Sequence, residues 1–252
     1  MKWRLWVLIG AIAAAAGILF LFPAIPQNEA YHNFADKRAL LGIPNCLNVL
    51  SNVFFLFVGA WGLRTAFRRA QFLDRRERWP YAMFFIGVTL TAFGSSWYHL
   101  NPDDATLVWD RIPMTIGFMS LVAAIVAERI GVPAGQWLLV PMIAFGVGSV
   151  LYWEATEQQG WGDLRPYAFV QFGSLLILLL LILLFPARYT RTYDLGVSLA
   201  LYALAKLLEA ADRPIFTALK FVSGHTLKHV AAAVSACWIA RMLRLRHAIQ
   251  RA

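Results

Sequence analysis

Residues 80–99 read PYAMFFIGVTLTAFGSSWYH. The stretch holds no Asp, Glu, Lys or Arg, and at 1.5 Å per residue it is long enough to cross about 30 Å of hydrocarbon as a helix. It ends on Ser95, Ser96, Trp97, Tyr98 and His99, polar groups that a lipid-facing helix does not need. Similar apolar spans run over residues 5–22, 46–63, 106–127, 136–153, 167–185, 193–209 and 226–243. Each is near the length that a bilayer requires. Eight helices are therefore expected: a seven-helix core with one extra N-terminal helix. The spans are too long and too uniformly apolar for barrel strands, so the expected fold class is all-α, a polytopic transmembrane helix bundle.

Composition agrees. Of 252 residues, 60% are hydrophobic and only 15% charged, too little charged surface for a soluble core of this length. The formal charge of +9 invites a nucleic-acid partner. The basic residues instead cluster in loops between spans and at the C-terminus, without aromatic interleaving, which argues against one. The two cysteines, Cys46 and Cys237, fall inside apolar spans, which argues against a disulfide framework or a thiolate metal site. Residues 5–22, preceded by Lys2 and Arg4 and ended by Pro23 and Pro26, share the outline of a cleaved signal peptide. Their apolar part is long for one and no clean cleavage site follows, so a retained helix is expected.

The positive-inside rule gives an orientation. Arg64, Arg68, Arg69, Arg75, Arg76 and Arg78 follow the second span, and Arg241, Arg244, Arg246 and Arg251 end the last. Lys2, Arg4, Arg129, Arg188 and Arg191 fall at loops of the same parity, whereas Asp103, Asp104, Glu154, Glu157 and Asp163 lie at the opposite ends. Both termini are expected in the cytoplasm, with residues 27–45, 100–105, 154–166 and 210–225 external. His99 then ends an outward helix, Asp110 begins the next inward one, and His225 and His229 begin the last. All four are expected at one depth, near the external face.

That placement gives the chemistry. Residues four apart share a helix face, so Ser95 aligns with His99, and His225 with His229. Two imidazoles one turn apart, joined by a third from another helix, supply the three nitrogens of a catalytic zinc site with a position left for water. A single membrane histidine is often an interhelical hydrogen-bonding residue; three of the chain's five at matching depth favour ligation. His32 and His247 are expected to be solvated. Asp110 is costly in a membrane unless paired or near a metal. It would shuttle protons beside a metal, or pair with Arg111 or Arg165, or sit at a helix N-terminus. Ser95 would donate to an oxyanion or pack between helices. Lys206 and Glu209 are expected to form a buried pair, narrowly preferred to a polar wall, with Asp212 beside them. Asn48, Ser51 and Asn52 are expected to cross-link helices.

Ser95-x-x-x-His99, Asp110 eleven residues on with Pro-Met close behind, and Gly224-His225-x-x-x-His229 together resemble the alkaline ceramidase family. Its wider superfamily includes the progestin and adipoQ receptors. Asn48-Val49-Leu50-Ser51-Asn52 resembles that family's Asn-x-x-Ser-Asn opening. The likeness covers roughly residues 28–245. The leading membrane helix over residues 1–26 lies outside it, and the likeness implies a seven-helix ceramidase-like membrane domain over 27–252. It also implies Zn2+ on His99, His225 and His229, with Asp110 and Ser95 as the remaining active-site residues. The implied reaction is hydrolysis of an amide-linked fatty acid from a sphingoid base, the partner being a membrane lipid. Eukaryotic members add a Ca2+ site before the first core helix. Here Asn45 stands where an acid is expected, with only Glu29 and Asp36 nearby, which argues against calcium. The extra helix and short loops suggest a bacterial relative in the inner membrane. The competing expectation is a receptor whose structural zinc takes Asp110 as a fourth ligand. A transporter has little support, since no internal repeat or paired broken helices stand out.

Overall fold

The computed structural model describes residues 2–68 and 72–249; Arg69 and Arg251, counted above among the basic loop residues, lie outside them. Helices run over Lys2–Leu21 (α1), Cys46–Leu50 (α2), Val53–Ala66 (α3), Arg78–Leu100 (α4), Asp104–Arg129 (α5), Val132–Gln158 (α6), Arg165–Ala168 (α7), Ser174–Leu184 (α8), Tyr193–Ala210 (α9), Asp212–Leu219 (α10) and Gly224–Leu245 (α11), with no strand among the described residues. The fold is all-helical, and each apolar span coincides with a helix.

Five helical segments are long and apolar enough to cross a membrane: Lys2–Leu21, Cys46–Ala66, Asp104–Arg129, Val132–Gln158 and Arg165–Leu184. The three other long helices are more polar, and their residues say why. Helix α9 carries Asp194, Lys206 and Glu209; α11 carries His225, Lys228, His229, Arg241 and Arg244; α4 ends on Ser95, Ser96 and His99. The helices that hold the three histidines, α4 and α11, fall outside those five.

Helix α5 is the axis of the bundle, packed against α4, α6 and α8, while α11 packs on α9 and α3. Its first turn is fixed by a capping box, Asp103 accepting from the Thr106 amide at 2.7 Å, which satisfies an otherwise unpaired helix-end donor. Helix α1 packs on α8 through Leu8, with Trp3 and Trp6 60% and 72% exposed, an apolar outer surface suited to lipid. The span from Cys46 to Ala66 is interrupted at Ser51–Asn52, both buried. A π-helical turn at Phe169–Gly173 interrupts the 167–185 apolar span; such turns concentrate at functional sites.

Three sequence expectations are corrected here. Asp110 does not begin its helix: α5 starts at Asp104, because the Asp103 cap extends the helix beyond its apolar stretch. Arg129 is no loop residue but the buried last residue of α5, where its Nη1 donates to the Phe185 carbonyl at 2.7 Å. Arg246, counted with the basic residues that end the last span, is buried, pairs with Glu128 and stacks 4.0 Å from the Tyr189 ring centre. A charge can be buried where a carboxylate and ring faces replace its water.

Candidate metal centre

The end of α4 and the start of α11 bring His99, His225 and His229 together. All three are buried, and their ligating atoms lie within 4.8 Å of one another. His99 Nε2 stands 3.2 Å from His229 Nε2 and 3.3 Å from His225 Nε2. Tetrahedral coordination with Zn–N bonds of about 2.0–2.1 Å places ligand nitrogens about 3.3–3.4 Å apart, so the spacing fits. The donor chemistry fits as well. A neutral imidazole nitrogen offers either one lone pair or one proton, so His99 Nε2 cannot pair ideally with both neighbours, whereas a cation satisfies three converging lone pairs at once. The buried group could hold a metal ion.

One tautomer is set by its surroundings. Ser51 Oγ lies 2.7 Å from His229 Nδ1 and donates to the Asn48 carbonyl at 3.1 Å. With its proton so engaged, the hydroxyl accepts from Nδ1–H, and His229 Nε2 is left bare toward the cluster. Asn48 in turn accepts from the Thr226 hydroxyl of α11 at 2.7 Å. The expected helix cross-links at Asn48 and Ser51 are present, and Ser51 lands on a candidate ligand.

Two further devices place the cluster. A Cβ on Gly224 would meet the Leu208 carbonyl at 2.2 Å, so glycine lets α11 start against α9 just before His225. Asp212 accepts from the backbone amides of His225 and Ala35, both at 2.8 Å. It is thus a clamp between α11 and the N-terminal segment, not part of a charged wall. Through that clamp Phe34 lies over the cluster, its ring centre 4.7 Å from His99 and 4.6 Å from His225. Sequence reasoning missed Phe34 and gave Asp212 another role, because nothing local marks a residue whose partners are far along the chain. His32 is corrected too. It is not solvated but lies 3.0 Å from the Tyr98 hydroxyl and 3.1 Å from Asp104 Oδ1, while His247 is exposed.

Ser95 and Asp110 are 2% and 5% exposed and line a cavity of about 460 Å³ together with His229. Gly94 makes them neighbours: a Cβ there would lie 2.0 Å from the Trp109 carbonyl, so α4 and α5 meet backbone to backbone beside both side chains. Neither expected ion pair of Asp110 forms among the described residues. Arg165 pairs with Asp163 at 2.8 Å and Arg111 donates to Gln27 at 2.6 Å. Most of the cavity wall is apolar, including Phe84, Val88, Leu121 and Leu178, and its polar end adds Lys206, Glu209 and Lys228. Glu209 bonds to Lys206, as expected, and also to Lys228 at 2.9 Å and the Tyr31 hydroxyl at 3.2 Å.

Two of the three positions weighed for calcium are otherwise engaged. The Arg38 guanidinium bonds to Asp36 at 2.7 Å and holds its carboxyl below the usual range. Asn45 Nδ2 donates to the His99 carbonyl at 2.9 Å, and Glu29 opens a short 3-10 turn.

Fold and site together define a helical protein with membrane-length apolar helices and a buried three-histidine group beside an apolar cavity. No protein-family model matches the chain, and no curated protein matches it.

Proposed function

We propose that this protein is a zinc-dependent integral-membrane hydrolase that cleaves the amide bond of a ceramide-like N-acyl lipid and releases a fatty acid. In this reading the seven helices after α1 form the membrane core, both termini face the cytoplasm, and the site lies near the external face. The carrying observation is the convergence of three imidazole nitrogens beside a cavity that also presents Asp110 and Ser95. The likeness of those residues to alkaline ceramidases supports the same reaction. Zinc held by His99, His225 and His229 would supply a Lewis acid and a water of lowered pKa.

The chain's own residues supply the rest. The apolar wall takes the acyl chain and keeps bulk water from the reacting end. As the oxygen of water adds to the amide carbonyl carbon, the Asp110 carboxylate accepts its proton. Asp110 returns that proton to the nitrogen as the C–N bond breaks, so a fatty acid and a free amine leave. Ser95, one turn before His99, donates to the developing oxyanion. A receptor with a structural zinc would need a closing protein ligand. Asp110 is not among the side chains that converge within 4.8 Å, which favours an open position.

Asp110→Asn tests this reading. The variant should keep its metal and its melting temperature, yet lose about 10²–10⁴-fold in fatty-acid release from a panel of N-acyl lipids. A wild-type protein that holds zinc but cleaves nothing across the panel counts against the hydrolase. Joint loss of metal and stability in the variant would make Asp110 a structural ligand.

A further inference from the structure

Arg111 is the residue of the cavity that the hydrolysis does not use. It is 5% exposed, and its guanidinium carbon lies 4.1 Å from the Trp153 ring centre, 4.7 Å from Tyr167 and 5.8 Å from Tyr31. Nη2 donates to Gln27 at 2.6 Å and the guanidinium also bonds to the Tyr167 hydroxyl, but the buried Nη1 has no hydrogen-bond partner among the described residues. Among the described residues Arg111 forms no salt bridge. Ring faces offset part of a cation's desolvation, yet they do not replace an acceptor for a buried N–H, and a buried charge without a counter-ion is costly.

The cavity's charges point the same way. Its lining holds three cations, Arg111, Lys206 and Lys228, against two carboxylates, Asp110 and Glu209. Glu209 is already shared by both lysines, so the lining keeps one net positive charge, and among the described residues Arg111 is the cation with no carboxylate at salt-bridge distance. The aromatic rings hold the guanidinium plane, and a guanidinium fork matches an oxyanion better than any neutral head. Beside it the wall is apolar over the reach of a hydrocarbon chain.

We propose that Arg111 is the specificity residue of this cavity and that the lipid bound there carries an oxyanion, a phosphate or a carboxylate, in its head. The inference deepens the lipid reading of the cavity, but its test is independent of hydrolysis, because the probes contain no amide bond. Dodecyl phosphate, dodecanoate and dodecanol are titrated into the full chain in maltoside micelles, and binding is read by native mass spectrometry. Each anionic probe should bind the wild type about 10- to 100-fold tighter than the alcohol, the span expected of a hydrogen bond to a charged group. Tighter binding of dodecyl phosphate identifies a phosphate head; tighter binding of dodecanoate identifies a carboxylate. Arg111→Met should erase the preference, Arg111→Lys should keep only part of it, and Lys206→Gln should retain it. Equal binding of all three probes by the wild type overturns the proposal even if Arg111→Met does not fold. A preference that survives in Arg111→Met, or that Lys206→Gln removes, overturns it as well. If probe binding behaves as expected while no N-acyl lipid is cleaved, the hydrolase reading fails and the anion site stands.

Discussion

Ser51→Ala removes one oxygen and should loosen the metal site without touching a ligand. Ser51 Oγ is 2.7 Å from His229 Nδ1 and passes its own proton to the Asn48 carbonyl at 3.1 Å. The Asn48 carbonyl also accepts from the His229 ring, so Ser51 is one of two acceptors there. Without it, a buried N–H loses the nearer of them, at up to about 1–3 kcal/mol. The ring can recover part of this by moving its proton to Nε2 or by turning, and either change removes the lone pair from the cluster. A partner of this kind is worth about 10–100-fold in metal affinity, or about 1.4–2.8 kcal/mol. Zinc content after dialysis against graded chelator, measured by elemental analysis, reads the change directly. The wild type should retain about one zinc per chain, His229→Ala should lose it, and Ser51→Ala should release it at chelator activities about 10–100-fold lower. An unchanged chelator midpoint in Ser51→Ala, beside a metal-free His229→Ala, refutes the assigned tautomer. A variant that loses metal and unfolds even in excess zinc would show that Ser51 acts through the helix break instead.

The close helix contacts next to the site should be intolerant. Gly94→Ala forces a carbon to within 2.0 Å of the Trp109 carbonyl, so α4 and α5 must part; a lowered melting temperature in detergent, of overpacking size at about 1–3 kcal/mol, is expected, and an unchanged one would contradict the packing. Glu128→Gln removes the carboxylate that pairs with buried Arg246 and should cost up to about 3–5 kcal/mol, whereas replacing both partners with apolar residues of similar volume should cost much less; equal losses would mean that the pair is not coupled. A reporter fused after residue 68 should read cytoplasmic and one within residues 159–164 external; the reverse result moves the site to the other face.

The sequence by itself determined the all-helical class and where the long apolar helical segments lie, because apolar length and helical period are local properties that any neighbourhood preserves. It also selected the three histidines, since the pair one turn apart in α11 is local and parity brings the end of α4 to the same side. Tertiary structure decided what surrounds them. Ser51 on His229, Asp212 clamping Ala35 to His225, and Phe34 over the cluster join residues more than a hundred positions apart, and no spacing rule connects them. The same limit explains Arg246 and His32. Their residue types suggest water, and only partners from distant helices, Glu128 for one and Tyr98 with Asp104 for the other, replace it. Arg111 is the clearest case: adjacent to Asp110 in sequence, it reads as that acid's partner, but successive helical residues point about 100° apart. Asp110 therefore faces the cavity beside Ser95, and the guanidinium turns into an aromatic cage built from other parts of the chain.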